Sequence, residues 1–349
     1  MADRCPFCVS NPVQRVVFYF AEALRERIGR EARRITAKGF KQKARSEIIE
    51  SALNHDPATI ICHSDIPLIQ VLVFTGVQAI LDSVASAGKV HIIDLAIRRG
   101  AHWEILMQAL AERRDNSIQL LKITAIAISS EQKIGDTGKN LKSFSASLNL
   151  PFSFQQICLS DMSELREEHF NREADETIIL KTMISKPKCL DSLMWLLRKL
   201  NPSIMVVGEI DANHNSTSFG NRFIKALFFY SAYFDCLEAC ITRDNNSRLA
   251  IESLILKEGI RNVVATEGID RTIWNVKIYV WRAFFARFGM GEVELSESSF
   301  YQASLVVEKN FGTIDKNGKS LIFGWKGTPL FSFSAWKFIC ERKKNCRRP

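Results

Sequence analysis

Apolar side chains recur at helical spacing from Asn11 onward, at Val13, Val16, Val17, Phe20 and Leu24. That repeat predicts a helix starting at Asn11. A basic stretch continues towards Ile48, Ile49 and Leu53, His55-Asp56-Pro57 reads as a turn, and Leu68 to Val84 reads as another helix. As far as Gly88 the pattern is helical. The period then changes. Val90-His91-Ile92-Ile93-Asp94 is short, apolar, β-branched and closed by an acid. Further strands are predicted at Leu120 to Ile128, Phe152 to Ile157, Ile178 to Met183 and Ile204 to Val207. Helices are predicted between them at Trp103 to Arg113, Glu131 to Leu148 and Cys189 to Leu200. Strands alternating with helices indicate βαβ units and a parallel sheet, and continuous apolar runs suit strands covered on both faces. Phe219 to Cys240 and Arg271 to Phe288 read as long helices. Lys319 to Trp325 and Leu330 to Phe338, joined around Gly327-Thr328-Pro329, read as an antiparallel pair on the sheet edge.

The 349 residues suffice for one large domain or two, and 46% hydrophobic with 24% charged residues excludes wholesale disorder. No apolar run reaches the roughly 18 residues of a membrane span, and the first residues hold no apolar signal core, so the chain reads as soluble and intracellular. The net charge of +9 is uneven. Arg25, Arg27, Arg30, Arg33, Arg34, Lys38, Lys41, Lys43 and Arg45 face only Glu26 and Glu31 within their stretch. Lys337, Arg342, Lys343, Lys344, Arg347 and Arg348 face only Glu341. The remaining chain is net acidic. Such patches suit phosphate backbones, import receptors or acidic partners, or are solvated faces.

Nine cysteines without a signal segment point to reduced thiols. Cys5-Pro-Phe-Cys8 resembles a zinc half-site and Cys236 and Cys240 lie one helical turn apart, but nothing ties the pairs together, and no metal is assigned. A strand ending in an acid before a glycine turn is the nucleotide-binding opening of a Rossmann-like fold. Here that turn, Asp94 to Gly100, has one glycine and is filled by Ile97, Arg98 and Arg99. Neither the GxGxxG nor the methyltransferase GxGxG cradle is present. No cofactor is assigned and no catalytic constellation is found.

Val90-His91-Ile92-Ile93-Asp94 is similar to the VHIID motif of the GRAS family of plant transcriptional regulators. Other segments resemble the family in order. Gln14-Arg15-Val16 and Tyr19 to Leu24 resemble the end of the first leucine-rich region, and Phe74 to Leu81 the segment before VHIID. Gly100, Trp103 and Leu106 to Leu110 resemble the helix after it, and Leu190 to Leu200 the second leucine-rich region. The PFYRE elements correspond to Pro202, Phe229, Tyr230, Arg248 and Glu252, and the closing SAW region to Trp281, Trp325, Ser334, Ala335 and Trp336. The family's basic–acidic motif after Glu267-Gly268 is reduced to Arg271-Thr272-Ile273-Trp274.

The resemblance implies an α/β fold: a Rossmann-like, methyltransferase-like core sheet with an N-terminal helical cap and a C-terminal antiparallel extension. It implies a cap over 1–88, with a shortened first leucine-rich region and no DELLA-type extension, and a core over 89–349. It further implies a nuclear, non-enzymatic transcriptional regulator. Such a protein binds other transcription factors, including zinc-finger proteins and GRAS members, as a homo- or heterodimer and without a membrane. Two alternatives stay open. One is small-molecule binding or S-adenosylmethionine-dependent chemistry near Asp94. The other is sequence-specific DNA contact through Arg25 to Arg45. His91 reads as a packed strand residue or a partner contact, and Asp94 as a ligand group or a turn cap. Leu193, Leu196 and Leu197 resemble a co-regulator-binding motif but have core spacing. The aromatic helix from Phe223 to Phe234 reads as core, with a partner groove as the alternative. Arg248 and Glu252 have the spacing to pair along one helix.

Overall fold

A computed structural model of the chain describes residues 11–32, 66–95, 97, 99–128, 131–182, 190–241, 245–308 and 312–339. Helix α1 spans Pro12–Glu31, and it starts where sequence chemistry puts a cap. The Asn11 side chain accepts from the Gln14 amide at 3.0 Å, and Pro12 occupies the first turn, where its missing N–H costs nothing. Helix α2 is Pro67–Ser83.

Five parallel strands follow: β1 Lys89–Asp94, β2 Leu120–Ile128, β3 Phe152–Leu159, β4 Thr177–Thr182 and β5 Ile204–Ile210. They are linked through α3 Ala101–Ala111, α4 Glu131–Ser147 and α5 Leu190–Leu200. Helix α6, Phe219–Cys240, leads to a broken rod in which α7 Asn245–Ala250 passes through a π-helical stretch, Ile251–Leu256, into α8 Lys257–Val264. The chain closes with α9 Ile278–Arg287, β6 Met290–Val293, α10 Glu297–Glu308, β7 Gly312–Asn317, β8 Ser320–Trp325 and β9 Thr328–Phe338.

The nine-stranded sheet runs β3-β2-β1-β4-β5-β9-β8-β7, with β6 also on β9. The order reverses beside β1, so the carboxyl end of β1 is the switch point where open α/β sheets bind ligands. Strands β1, β4 and β5 have alternate side chains in two apolar clusters, one on each face. Val90, Ile92, Trp103, Leu106, Phe229, Tyr230 and Phe331 lie in the first. Ile93, Leu193, Leu197, Trp281, Phe285 and Trp336 lie in the second. Burial on both faces is why these strands read as continuous apolar runs. The two predicted N-terminal helices take different places: α1 packs on α6 and α8, and α2 packs on α10, β5 and β9.

Two departures from the sequence reading have physical causes. The helix predicted from Arg271 begins at Ile278, because 271–277 is pinned in extended form. Arg271 Nη2 donates to the His214 carbonyl at 2.6 Å, and Asp211 accepts from both Lys277 Nζ and the Ile278 amide. The β8–β9 pair is antiparallel as expected, turning at Gly327 with φ +83°, but β9 is interior and β7 forms the edge. Helix α8 contains Gly259, a poor helix former. A Cβ there would lie 2.2 Å from the Tyr230 hydroxyl, so glycine is what lets α8 reach α6.

Candidate functional site

At the end of β1, Asp94 is fully buried and points towards α3. Its Oδ2 accepts from Trp103 Nε1 at 2.9 Å, His102 Nε2 at 3.3 Å and Lys181 Nζ at 3.3 Å. Lys181 also lies 5.5 Å above the Trp103 ring. Gly100 enters α3 at φ +72°, where a side chain would be strained and would crowd Thr137 and Leu141. In a cofactor-binding sheet an acid here would read a ligand hydroxyl. In this chain the carboxylate is spent on three internal donors and ties β1, α3 and β4 together.

His91 faces the other side of β1 and is also fully buried. Nδ1 lies 2.9 Å from Glu176 and Nε2 lies 2.8 Å from the Thr124 hydroxyl. Lys122 Nζ donates to Glu176 and to the carbonyls of Phe170 and Asn171. Burial first, and then the Lys122 charge, push the His91 pKa down to about 4 against the pull of Glu176. The ring is therefore neutral at pH 7, and the network assigns the proton to Nδ1 facing the carboxylate. A side chain so enclosed acts in packing and is closed to a partner.

The other motif residues behave alike. Pro202, Phe229 and Tyr230 are buried, and Tyr230 packs edge-on against Phe20 of α1. Trp281 stacks on Phe285, which packs on Trp336 at 4.7 Å. Trp336 donates to Ser334 at 2.9 Å, and Ala335 is buried beside it. Trp325 Nε1 donates to Asp235 at 2.6 Å, which anchors β8 to α6. Leu193 and Leu197 are core, Leu196 is half-buried, and Trp195 between them is exposed. Of the aromatic helix, Phe229, Tyr230, Tyr233 and Phe234 are core while Phe228 is exposed.

The cations of α1 form a belt. Fully buried Glu252, presented by the π-helical stretch, accepts from Arg15 Nε at 3.0 Å, and Arg15 also reaches Glu238 at 2.7 Å. Arg248 pairs with Glu238 and adds its field to Glu252. Arg248 and Glu252 thus share a network that α1 completes. Farther along α1, Arg27 meets Glu31 and Glu267 and covers the Phe219 ring at 4.0 Å. Arg30 meets Glu26 and Asp270, Arg261 grips Glu26 with two nitrogens, and Lys257 meets Glu22. Arg25 is exposed. Arg33, Arg34, Lys38, Lys41, Lys43 and Arg45 lie outside the described residues, as do Cys5, Cys8 and the basic C-terminal cluster from Arg342. Among the described residues no group of His, Cys, Asp and Glu could hold a metal, and no helix is long and apolar enough to cross a membrane. Sequence reading assigned no role to Arg15, Glu238 or Arg261; the bonds from Arg15 to Glu238 and Glu252 and from Arg261 to Glu26 span more than two hundred positions, and no local spacing signals them.

Residues 7–337 match the GRAS domain family. DELLA protein RGL1 of Arabidopsis thaliana is 30% identical over 339 residues, covering 94% of this chain and 63% of that protein. Protein SCARECROW of Ipomoea nil is 32% identical over 332 residues, covering 93% of this chain and 41% of that protein. The chain therefore spans less than two thirds of the length of these curated relatives. The crystal structure of SCL7 in Oryza sativa superposes with a TM-score of 0.78 at 26% identity, covering 94% of this chain and 90% of that one. Motif order, sheet topology and these likenesses agree, and the chain belongs to the GRAS domain family.

Proposed function

We propose that this chain is a nuclear, non-enzymatic transcriptional regulator that works by holding other transcription factors, zinc-finger proteins and GRAS members among them. The observation that carries this reading is the state of Asp94. The one acid at the switch point of the sheet is saturated by Trp103, His102 and Lys181, so the fold's ligand edge serves as a girder. A rigid α/β body whose motif residues are core suits a platform better than a catalyst. Membership of the family supports the same reading.

The test joins the chain to a heterologous DNA-binding domain and follows a reporter in plant nuclei. Reporter output should shift when the fusion is tethered. It should also shift with the untethered chain on promoters that its partners occupy. An unmoved reporter in both settings overturns the proposal. The Rossmann-like sheet makes S-adenosylmethionine the ligand to exclude. Calorimetric titration should give no heat of binding, whereas micromolar binding with turnover would establish the enzyme reading instead.

A further inference from the structure

The exposed face of α5 meets the end of α9 in a small surface of unusual makeup. Trp195 is 59% exposed, and its ring lies edge-on to Phe288 with centroids 5.8 Å apart. Three cations surround this pair. Arg198 donates to the Phe288 carbonyl at 3.0 Å. The Arg287 guanidinium lies 5.7 Å from the centre of the Phe288 ring. Lys199 is one helical turn beyond Trp195 on the same exposed face. Among the described residues none of the three has a carboxylate within ion-pair distance. On α1, by contrast, Arg15, Arg27 and Arg30 are each paired. Asp191, one turn before Trp195, is the only acid on α5.

An exposed indole has no reason to stand among unneutralised cations for the sake of the fold. Leu193 and Leu197 already provide the core contact of α5. A large aromatic at the centre of a polar rim is the makeup of a binding hot spot, where Trp and Arg dominate. The positive rim selects an anionic partner and excludes basic ones. A duplex would need a long basic stripe to track its phosphates, and this surface spans little more than one helix end.

We infer that the Trp195–Phe288 surface, rimmed by Arg198, Lys199 and Arg287, is a docking site for a short acidic peptide segment bearing an aromatic or leucine anchor. The anchor would lie against the indole while flanking carboxylates meet the three cations. This deepens the regulator reading by naming the chemistry of a partner segment, yet it is read in a different assay. A chain that binds the peptide but leaves a reporter unmoved sinks the regulator reading and keeps this one.

The test uses the purified full chain and a fluorescent peptide of about twelve residues that alternates Asp with Leu and Phe. Anisotropy titration should give saturable binding that weakens as salt rises. Trp195→Ala should weaken it about tenfold or more, and Arg198→Glu with Lys199→Glu by a similar factor with a flatter salt dependence. Trp195→Phe should retain most of the affinity. Phe228→Ala, at an exposed aromatic on α6, should change nothing. All four sites are exposed, so circular dichroism should match the parent. Equal binding by the Trp195→Ala chain overturns the inference. So does equal binding of a peptide with Asn in place of Asp, which would mean nonspecific stickiness. Tighter binding of a single-stranded oligonucleotide at the same residues also overturns it, since the surface would then serve nucleic acid.

Discussion

On α1, Arg15, Arg27 and Arg30 end on carboxylates from α6, the π-helical stretch and the segment after α8. On α5 and α9, Arg198, Lys199 and Arg287 end on none among the described residues. Both regions put arginine beside an aromatic ring: Arg27 over Phe219, and Arg287 near Phe284 and Phe288. What separates them is the presence of a fixed acid across the gap. A cation with its acid built in holds two parts of one chain together. A cation without one is left to interact with something else. Positive charge counted along the sequence cannot separate these uses, because the deciding acid comes from a distant part of the chain.

The sharpest way to break the contrast is Arg15→Ala. It would leave Glu252 fully buried and stripped of its closest cation, while Glu238 retained Arg248. Removing one partner of a buried pair costs about 3–5 kcal/mol, because the remaining charge has no water to replace it. Urea unfolding should show that loss at pH 7. Arg198→Ala should lose only about 1 kcal/mol, since it removes one hydrogen bond to the Phe288 carbonyl and no carboxylate contact. Equal losses at the two sites would erase the distinction between latch and docking surface.

Acid should act on the interior and the belt in turn. His91 and His214 both have their pKa pushed down to about 4. Burial dominates in each, with Lys122 adding to it at His91 and Arg271 and Lys277 at His214. The unfolded chain, with histidine near 6.5, binds protons that the folded chain refuses. Stability is therefore full above pH 6.5 and declines as pH falls from 6.5 towards 4. Glu26 and Glu267 follow at lower pH. Partial burial opposes their ionisation, but hydrogen bonds and charge outweigh it, from Arg261 and Arg30 at Glu26 and from Arg27 and Arg222 at Glu267. Both sit below the ordinary 4.5, so their contribution is present above that value and lost as pH falls through their folded pKa. Melting temperature followed from pH 8 to pH 4 should fall most below 6.5, and His91→Asn should flatten that slope. A flat profile would mean that the histidines are not held neutral.

Much of the fold was open to reading from local pattern. The β-branched run Val90 to Asp94 and the run Leu120 to Ile128 stand where their composition put them, since burial on both faces keeps them mostly apolar and the polar exceptions His91, Lys122 and Thr124 are hydrogen-bonded inside. The apolar repeat from Val13 to Leu24 announced α1, and Asn11 and Pro12 supply its cap. The polar edge strand β7, with Asp315, Lys316 and Asn317, carries no such pattern. The start of α9 depends on Asp211 and His214, which no helical periodicity reports. The site was less legible for the same reason. Val90 to Asp94 of β1 stood out as a motif, yet His91 and Asp94 are closed off by Glu176, Thr124, Trp103 and Lys181. Trp195 was hidden inside a leucine pattern whose spacing explains its neighbours and leaves the indole without a place.

The smallest effects lie at the exposed end of the belt and bear on DNA contact. Arg27 and Arg30 are partly exposed and pair with partly exposed acids. Exposed pairs of that kind are worth about 0.2–1 kcal/mol and are screened by salt. Arg27→Ala and Arg30→Ala should each lose that much at low salt and less at about 1 M, whereas Arg25→Ala should lose nothing measurable. If α1 is only a latch, Arg30→Glu should weaken stability without changing retention on DNA. Retention that depends on the basic segment would then come from Arg33, Arg34 and the residues beyond. Should Arg30→Glu abolish retention while stability stays intact, the belt would be the nucleic-acid surface and its pairing with Asp270 incidental. The two outcomes are opposite in both assays, so one charge reversal decides between an internal clasp and an external contact.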